Sequence, residues 1–248
     1  MRSFFLLPIL LVLPTYKISP LKLSVIMPVF NEHKTIREII AKVQAVPIEI
    51  ELVIVDDAST DGTREILKAE YEGKQGIQVY YHEKNKGKSG AIKTGIPHAT
   101  GEIISIQDGD LETDPNDFVA LTAPIKSGEA SVVYGSRYLQ PKEESLYFAY
   151  KFGARFLSVV VNLMYGQNIT DEATCYKVFR SEILKSIPLE YDRFEFCPEV
   201  TAKVSKLGYK IKELPMNYYP RSFEEGKKMN WRDGVKALWV LVKFRFVN

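Results

Sequence analysis

The sequence predicts an α/β protein built on a doubly wound, mainly parallel sheet with helices on both faces. Short apolar runs alternate with segments of helical periodicity, the pattern of strand–helix–strand units with right-handed crossovers. Polar and acidic side chains follow the strand runs directly, where open α/β sheets bind ligands. The 248 residues are 46% apolar, enough for a substantial core, and the net charge of +2 gives no indication of a nucleic-acid partner.

The predicted elements are justified in chain order by their boundaries. Each predicted strand is a short apolar run that ends in polar or turn residues. The strands lie at 23–29, 50–55, 77–81, 102–107 and 130–134. The predicted helices lie at 35–45, 63–70, 88–98 and from Pro115, where a proline follows the capping residue Asp114.

The chain ends are interpreted separately. Residues 1–20 form an apolar extension that is too short for a spanning helix and has no signal-peptide cleavage site, so we expect an over-long start or a loose surface anchor. Residues 21–230 are predicted as one domain and 231–248 as an amphipathic C-terminal helix. Cys175 and Cys197 fit neither a metal site nor a disulfide framework, which favours a reducing cytosol.

The loop after the fourth strand carries Asp108-Gly109-Asp110, the most informative feature of the chain. Two carboxylates two residues apart on such a loop can share one hard divalent cation. An ordinary Asp-Gly turn explains the same residues. Both interpretations are open on these residues alone.

Three other loops carry candidate binding residues. Phe30 could stack on a planar base and Glu32 could accept hydrogen bonds, although a helix cap explains the same segment. Asp56 and Asp57 could accept bonds from a base N–H or ribose hydroxyls, whereas residues 61–63 are interpreted as a turn and cap. Residues 85–90 could approach a phosphate through a helix N-terminus, or serve close helix packing.

Four motifs in this order resemble the family-two glycosyltransferases of GT-A fold. They are Pro-Val-Phe-Asn-Glu at 28–32, Val-Asp-Asp-Ala-Ser-Thr-Asp-Gly-Thr at 55–63, Asn-Lys-Gly-Lys-Ser-Gly-Ala at 85–91 and Gln-Asp-Gly-Asp-Leu-Glu at 107–112. Within that family the chain is most similar to polyprenyl-phosphate sugar transferases of the dolichol-phosphate mannosyltransferase type. The resemblance implies a donor half at 21–137 and an acceptor half at 138–230.

The resemblance also implies the residues of the donor site. A nucleotide-sugar would contact the first two strand ends and the acidic loop, through Pro28, Phe30, Glu32, Val55, Asp57 and Gly109. Asp108, Asp110 and Glu112 would hold Mg²⁺ or Mn²⁺ on the diphosphate. The cation would neutralise charge on the departing nucleoside diphosphate, which makes Asp108 and Asp110 catalytic residues.

The acceptor half is predicted to bind a lipid phosphate. Arg137 and Arg155 would face the phosphate, since the planar guanidinium fork binds phosphate bidentately, and Thr174 would line the same side. Asp171 matches the family's acceptor-side aspartate. It would be a general base for a hydroxyl acceptor and would mainly order the site for a phosphate acceptor, and a turn explains it otherwise. The apolar segment 145–165 forms either a buried helix or a surface for the lipid chain.

The C-terminal region is strongly basic, with eleven Lys or Arg against four Asp or Glu from Lys203 to Arg245. Arg221 and Lys227 are assigned to a loop that closes over the donor diphosphate, although a solvated basic loop is the simpler interpretation. The final helix places an apolar stripe on one face, which either docks on the domain or lies on an anionic membrane. The stripe consists of Trp231, Val235, Leu238, Trp239, Val242 and Phe246.

These observations lead to one expected function and two alternatives. We expect an inverting, metal-dependent enzyme at the cytoplasmic face of a membrane, which moves a hexose from a GDP-mannose or UDP-glucose type donor to a polyprenyl phosphate. One alternative uses a sugar or glycan hydroxyl as acceptor. The other is a catalytically silent nucleotide-sugar-binding scaffold, against which the intact acidic cluster argues. A sugar-1-phosphate nucleotidyltransferase is disfavoured, because the first loop lacks its glycines.

Overall fold

A computed structural model describes residues 21–140, 148–220 and 231–247, and these contain seven strands and eight α-helices. The predicted extension at 1–20 lies outside the described residues. The strands are β1 Leu23–Val29, β2 Ile50–Asp56, β3 Ile77–Tyr81, β4 Ile103–Ile106, β5 Val132–Ser136, β6 Lys177–Arg180 and β7 Ile211–Pro215. The helices are α1 Ile36–Gln44, α2 Thr63–Glu70, α3 Lys88–Gly95, α4 Asp117–Lys126, α5 Phe148–Tyr165, α6 Ser181–Ser186, α7 Phe196–Lys206 and α8 Trp231–Phe246.

All seven strands form one sheet in the order β3-β2-β1-β4-β6-β5-β7. The strands are parallel except β6, which runs antiparallel to both β4 and β5. The prediction of a doubly wound, mainly parallel sheet flanked by helices is therefore confirmed. The β6 and β7 strands were not predicted, because their short runs lie among polar residues.

Several predicted boundaries differ from the structure by one to three residues, and two of them are informative. The fourth helix begins at Asp117 rather than at Pro115, because Asp114 Oδ1 accepts the Asn116 N–H at 2.9 Å and forms a turn first. The fifth strand extends to Ser136 rather than ending at Tyr134, because β7 pairs with it as far as that residue. That extension carries the chain directly into Arg137.

The sheet separates two apolar layers, since successive side chains of a strand point to opposite faces. In β1, Val25 and Met27 face the layer of α1, α2 and α4, and Ile26 faces the layer of α3, α5, α7 and α8. A Cβ at Gly95 would lie 2.6 Å from Ile26 Cγ2, so α3 packs directly on the sheet only because this residue is glycine. The strand ends are thereby held rigidly at one edge.

A buried carboxylate connects the amino ends of the parallel strands, opposite the edge where the strand-end loops lie. Glu51 is 4% exposed, accepts hydrogen bonds from Ser24, Thr100 and Gly101, and forms an ion pair with Lys22 at 2.5 Å. Burial alone raises the pKa of Glu51. The hydrogen bonds from Lys22, Ser24 and Thr100 outweigh burial and lower that pKa to about 2.

We expect Glu51→Gln to lower the free energy of unfolding at pH 7 by about 3 kcal/mol, from a pKa 2.5 below the ordinary 4.5 at 1.36 kcal/mol per unit. Because the folded pKa is the lower one, this stability is present above pH 4.5 and is lost as the pH falls towards 2. Urea unfolding at pH 7 and pH 3 measures both effects. Glu38→Gln, at an exposed pair with Lys42, should change stability by less than about 0.5 kcal/mol. An unchanged pH dependence in Glu51→Gln would contradict the assignment.

Candidate active site

Backbone strain concentrates at the carboxyl edge of the parallel strands. Three residues other than glycine have positive φ among the described residues: Asn31 at 57°, Ala58 at 65° and Leu111 at 61°. They lie in the loops after β1, β2 and β4. Such conformations cost about 1–3 kcal/mol each and persist where the surroundings impose them, often at functional sites. The structure thus marks the same edge that the sequence predicts as the site.

The loops after β1 and β2 hold each other in place. The Asn31 N–H donates to Ser59 Oγ at 2.9 Å, and the Glu32 N–H donates to Thr63 Oγ1 at 3.0 Å. Asp61 Oδ1 accepts the Thr63 N–H and hydroxyl, and Gly62 has φ of 95°. Residues 61–63 therefore form the predicted turn and cap. These bonds place Phe30 and Glu32, both half-buried, at the edge.

Asp56 and Asp57 have structural partners, which removes the repulsion expected of adjacent acids. Asp56 bonds Arg64 Nε at 2.6 Å. The buried Asp57 carboxylate accepts from the N–H groups of Lys86 and Gly87 at 2.8 and 2.7 Å and contacts His82 Nδ1 at 2.7 Å. Asp57 thus connects the β2 loop to residues 86–87, a role that the predicted nucleotide contact did not include.

The N-terminus of α3 is used for packing. The N–H groups of Ser89 and Gly90 donate to the backbone oxygens of Arg193 and Asp192 at 2.8 and 2.7 Å. A Cβ at Gly87, which has φ of 88°, would lie 2.6 Å from the Asp192 oxygen. The sequence left two interpretations of residues 85–90, a phosphate contact and close helix packing. The structure supports close helix packing.

The acidic loop faces the β1 loop across an open cleft. Thr35 Oγ1 donates to the Gly109 oxygen at 2.6 Å, and a Cβ at Gly109 would lie 3.2 Å from Glu32 Cγ. A cleft of about 770 Å³ is lined by Glu32, Asp110 and Tyr219, among others. Glu32 and Asp110, two predicted donor-site residues, therefore line one cavity.

Asp108 is engaged by a lysine that the predicted site did not include. Lys88 Nζ lies 2.6 Å from Asp108 Oδ1 and 2.7 Å from Oδ2. Burial is the largest single influence on the pKa of Lys88 and lowers it, but the charge and hydrogen bond of Asp108, together with Cys175 and Cys197, outweigh burial and raise that pKa. A positive charge thus lies beside the predicted cation ligands. The sequence feature that could have identified Lys88 is its position as the first residue of α3, the helix that follows β3.

Glu112, the third predicted cation ligand, is held by two tyrosines that follow β7. Its Oε2 accepts the Tyr218 hydroxyl at 2.9 Å, and its backbone oxygen accepts the Tyr219 N–H at 2.7 Å. Over the described part of the chain, no three His, Cys, Asp or Glu side chains converge as a preformed metal site. Mg²⁺ commonly binds through one or two carboxylates plus substrate phosphates, so Asp108 and Asp110 fit it without a third carboxylate.

On the acceptor side, Arg137 and Asp171 bind each other. Arg137 Nε and Nη2 each lie 2.7 Å from an Asp171 oxygen, and the Arg137 N–H donates to Oδ2 at 3.1 Å. Asp171 is 0% exposed. Burial opposes the charge on Arg137, but the charge and hydrogen bonds of Asp171, with Tyr138 and Tyr218, outweigh this effect and raise the Arg137 pKa well above its ordinary value. The predicted phosphate ligand and the predicted base thus form one buried ion pair.

Aromatic rings surround this ion pair. The Arg137 guanidinium carbon lies 5.1 Å from the Tyr218 ring centroid, and that of Arg155 lies 5.0 Å from the Tyr138 ring centroid. Cation–π contacts of this length are favourable. The Tyr218 hydroxyl also donates to Glu112. Arg137 therefore lies close to the loop after β4, which carries Asp108 and Asp110.

Four predicted site residues need separate comment. Val55 is buried in the sheet opposite Pro28, and Thr174 is buried with its hydroxyl on Met216 Sδ, and the contact of these two residues with substrate stays a prediction. Arg221 and Lys227 lie outside the described residues.

Helix α5 of the acceptor half and the C-terminal helix α8 both expose apolar side chains. α5 exposes Phe156, Val159 and Leu163, the last by 82%, whereas Leu157 and Val161 are buried. α8 docks through Val240, Leu241 and Phe244, and Leu238 of the predicted stripe packs against the same cluster, so the docking face coincides with the stripe only in part. Of that stripe, the side chains that are exposed are Val235, Trp239 and Phe246.

Neither helix is a membrane span. Within residues 21–140, 148–220 and 231–247, no helix is both long and apolar enough to cross a bilayer.

Comparison with known proteins places this geometry in a family. Residues 24–187 match the family described as glycosyl transferase family 2. The dodecaprenyl-phosphate galacturonate synthase of Rhizobium johnstonii is 27% identical over 210 residues, which are 82% of this chain and 61% of that protein. An uncharacterised protein of Methanocaldococcus jannaschii is 30% identical over 89% of this chain and 91% of its own length.

A solved structure supports the same assignment at the level of the fold. Glucosyl-3-phosphoglycerate synthase of Mycobacterium tuberculosis, in complex with Mn²⁺, UDP-glucose and phosphoglyceric acid, superposes with a TM-score of 0.68 at 20% identity. The match covers 92% of this chain and 81% of that one. With its sheet, its strand-end loops and the matched residues, the chain belongs to glycosyl transferase family 2 and has the GT-A fold.

Proposed function

We propose that the protein transfers a hexose from a nucleotide-sugar to a polyprenyl phosphate, with inversion at the anomeric carbon. The observation that carries the acceptor choice is the buried Arg137–Asp171 pair. A hydroxyl acceptor needs a base that can reach its proton. Asp171 is fully buried and uses both oxygens on Arg137, which suits an ordering residue. A phosphate acceptor needs no such base, because its nucleophile is already an oxyanion.

The donor would bind in the cleft between the β1 loop and the acidic loop. Glu32 and Asp110 line that cleft, and Phe30 and Pro28 lie at the same strand end. Asp108 and Asp110 would hold Mg²⁺ or Mn²⁺, which supplies charge neutralisation for the departing diphosphate. Lys88 adds a second positive charge beside Asp108. Arg221 and Lys227 would complete the charge around the leaving group.

The acceptor phosphate would bind where Arg137 lies beside the Tyr218 ring and Arg155 lies beside the Tyr138 ring. Its oxygen attacks the anomeric carbon and the bond from that carbon to the diphosphate oxygen breaks, so the nucleoside diphosphate leaves with the electron pair. The lipid chain would lie along the exposed side chains of α5, which begin next to Arg155. Trp239 of α8, 62% exposed, would sit in the headgroup region of an anionic membrane surface.

A donor-by-acceptor screen tests this function. Purified protein is incubated with radiolabelled nucleotide-sugars and Mg²⁺ or Mn²⁺, and each donor is offered polyprenyl phosphate, polyprenol or an oligosaccharide. We expect label in the organic phase with polyprenyl phosphate and none with polyprenol, which has the same chain without the phosphate. Label transferred to the oligosaccharide instead would establish the hydroxyl-acceptor alternative. Donor binding without transfer to any acceptor would favour a silent scaffold.

A further inference from the structure

The connector between α5 and β6 carries Asp171 and is held by side chains instead of a sheet ladder. Asn162 bonds both backbone groups of Ile169, with its Nδ2 donating to the oxygen at 2.8 Å and its Oδ1 accepting the N–H at 2.9 Å. Gln167 Oε1 accepts the Ile211 N–H at 3.1 Å, which ties the connector to β7. A segment fixed at so many backbone groups is well suited to position a side chain.

Glu213 of β7 makes the last of these attachments, directly at Asp171. Its Oε2 accepts the N–H and the hydroxyl of Thr170 at 2.6 and 2.8 Å, and its Oε1 accepts the Asp171 N–H at 2.9 Å. Because the Thr170 hydroxyl donates to Glu213, its contact with Ser136 Oγ at 2.6 Å has Ser136 as donor. One carboxylate therefore links β7, the connector and the end of β5, where Arg137 begins.

We propose that Glu213 is a positioning residue for the Arg137–Asp171 pair in sugar transfer, an inference that rests on the proposed function. Two adjacent N–H donors face its two oxygens, and an ionised carboxylate can accept from both at once. Glutamine has the same shape, but its amide nitrogen is a donor and would meet one of these N–H groups. The arrangement therefore selects a carboxylate at this position.

Glu213 acts through its neighbours and reaches the acceptor phosphate only indirectly. If the Thr170–Asp171 backbone moves, both Asp171 oxygens move with it, and so does the guanidinium that they hold. The donor cleft is lined by the loops after β1, β2 and β4 and by Tyr219 and Pro220 beyond β7, and its lining includes none of Arg137, Thr170, Asp171 and Glu213. Loss of Glu213 should therefore reduce turnover while donor binding is kept.

Glu213→Gln tests the proposal, with Glu129→Gln as the matched control. Glu129 is an exposed acid that pairs with Lys212, the neighbour of Glu213 in β7. For Glu213→Gln we expect kcat to fall by about 10- to 100-fold, since small displacements at a reacting centre cost this much. The KM for the donor should stay within about twofold. Backbone amide exchange at Thr170 and Asp171 should accelerate by about tenfold or more. The control should change none of these quantities.

Three results would overturn the proposal: an unchanged kcat, an equal loss of donor affinity, or unchanged amide exchange at both residues. If Glu213→Gln does not fold, Thr170→Val removes one of the three bonds to Glu213 together with the Ser136 contact, at an exposed residue, and kcat should fall by about two- to tenfold. If the wild-type protein transfers no sugar to polyprenyl phosphate, the proposed function fails on its own. The amide exchange still decides whether Glu213 holds the connector.

Discussion

Replacement of Asp110 by asparagine should reduce sugar transfer by about 100-fold or more and leave the fold intact. Asp110 lines the donor cleft, and its Oδ1 accepts the Glu112 N–H at 3.2 Å, which the asparagine oxygen can still do. The variant therefore removes one negative charge and keeps the loop. Under the proposed function, we therefore expect cation binding to depend strongly on Asp110.

Initial rates over a Mg²⁺ or Mn²⁺ titration measure this effect, and Mn²⁺ binding in the presence of nucleoside diphosphate gives a readout without turnover. Asp114→Asn is the matched control, because Asp114 lies in the same loop and only supports the turn before α4. We expect the control to retain wild-type rates and Mn²⁺ affinity. Full activity of Asp110→Asn at saturating cation would remove Asp110 from the metal site.

The second large effect is expected at the Arg137–Asp171 pair, where a double-mutant cycle separates stability from function. Arg137→Met leaves the Asp171 carboxylate buried without its partner, which should cost about 3–5 kcal/mol of unfolding free energy. The double variant Arg137→Met, Asp171→Asn removes both charges and should recover much of that loss. Denaturant unfolding of the wild type, of Arg137→Met and Asp171→Asn alone, and of the double variant measures the coupling free energy between the two side chains.

The same proteins test the acceptor site. If Arg137 binds the lipid phosphate, the double variant stays at least about tenfold below wild type in the use of polyprenyl phosphate although its stability is restored. Its donor affinity should remain near that of wild type, as measured by nucleoside diphosphate binding. Recovery of transfer together with stability would show that the pair is structural only.

Local patterns identified most of the donor half. Strand and helix periodicity located β1 to β4 and the helices between them, because both repeats are short and involve neighbouring residues. The order of the strand-end motifs identified the family, since parallel strands bring their carboxyl ends to one edge whatever the details of packing. The sequence could therefore place Asp108, Asp110 and Glu32 at that edge without knowledge of their neighbours.

The acceptor half was less predictable, because its contacts join residues far apart in the chain. Arg137 and Asp171 are 34 residues apart, Glu112 and Tyr218 are 106 apart, and β6 enters the sheet between β4 and β5. A residue pattern shows which side chains can bind a phosphate or a cation. Which of these charges bind each other depends on side-chain distances of a few ångströms, and packing of the whole chain sets those distances.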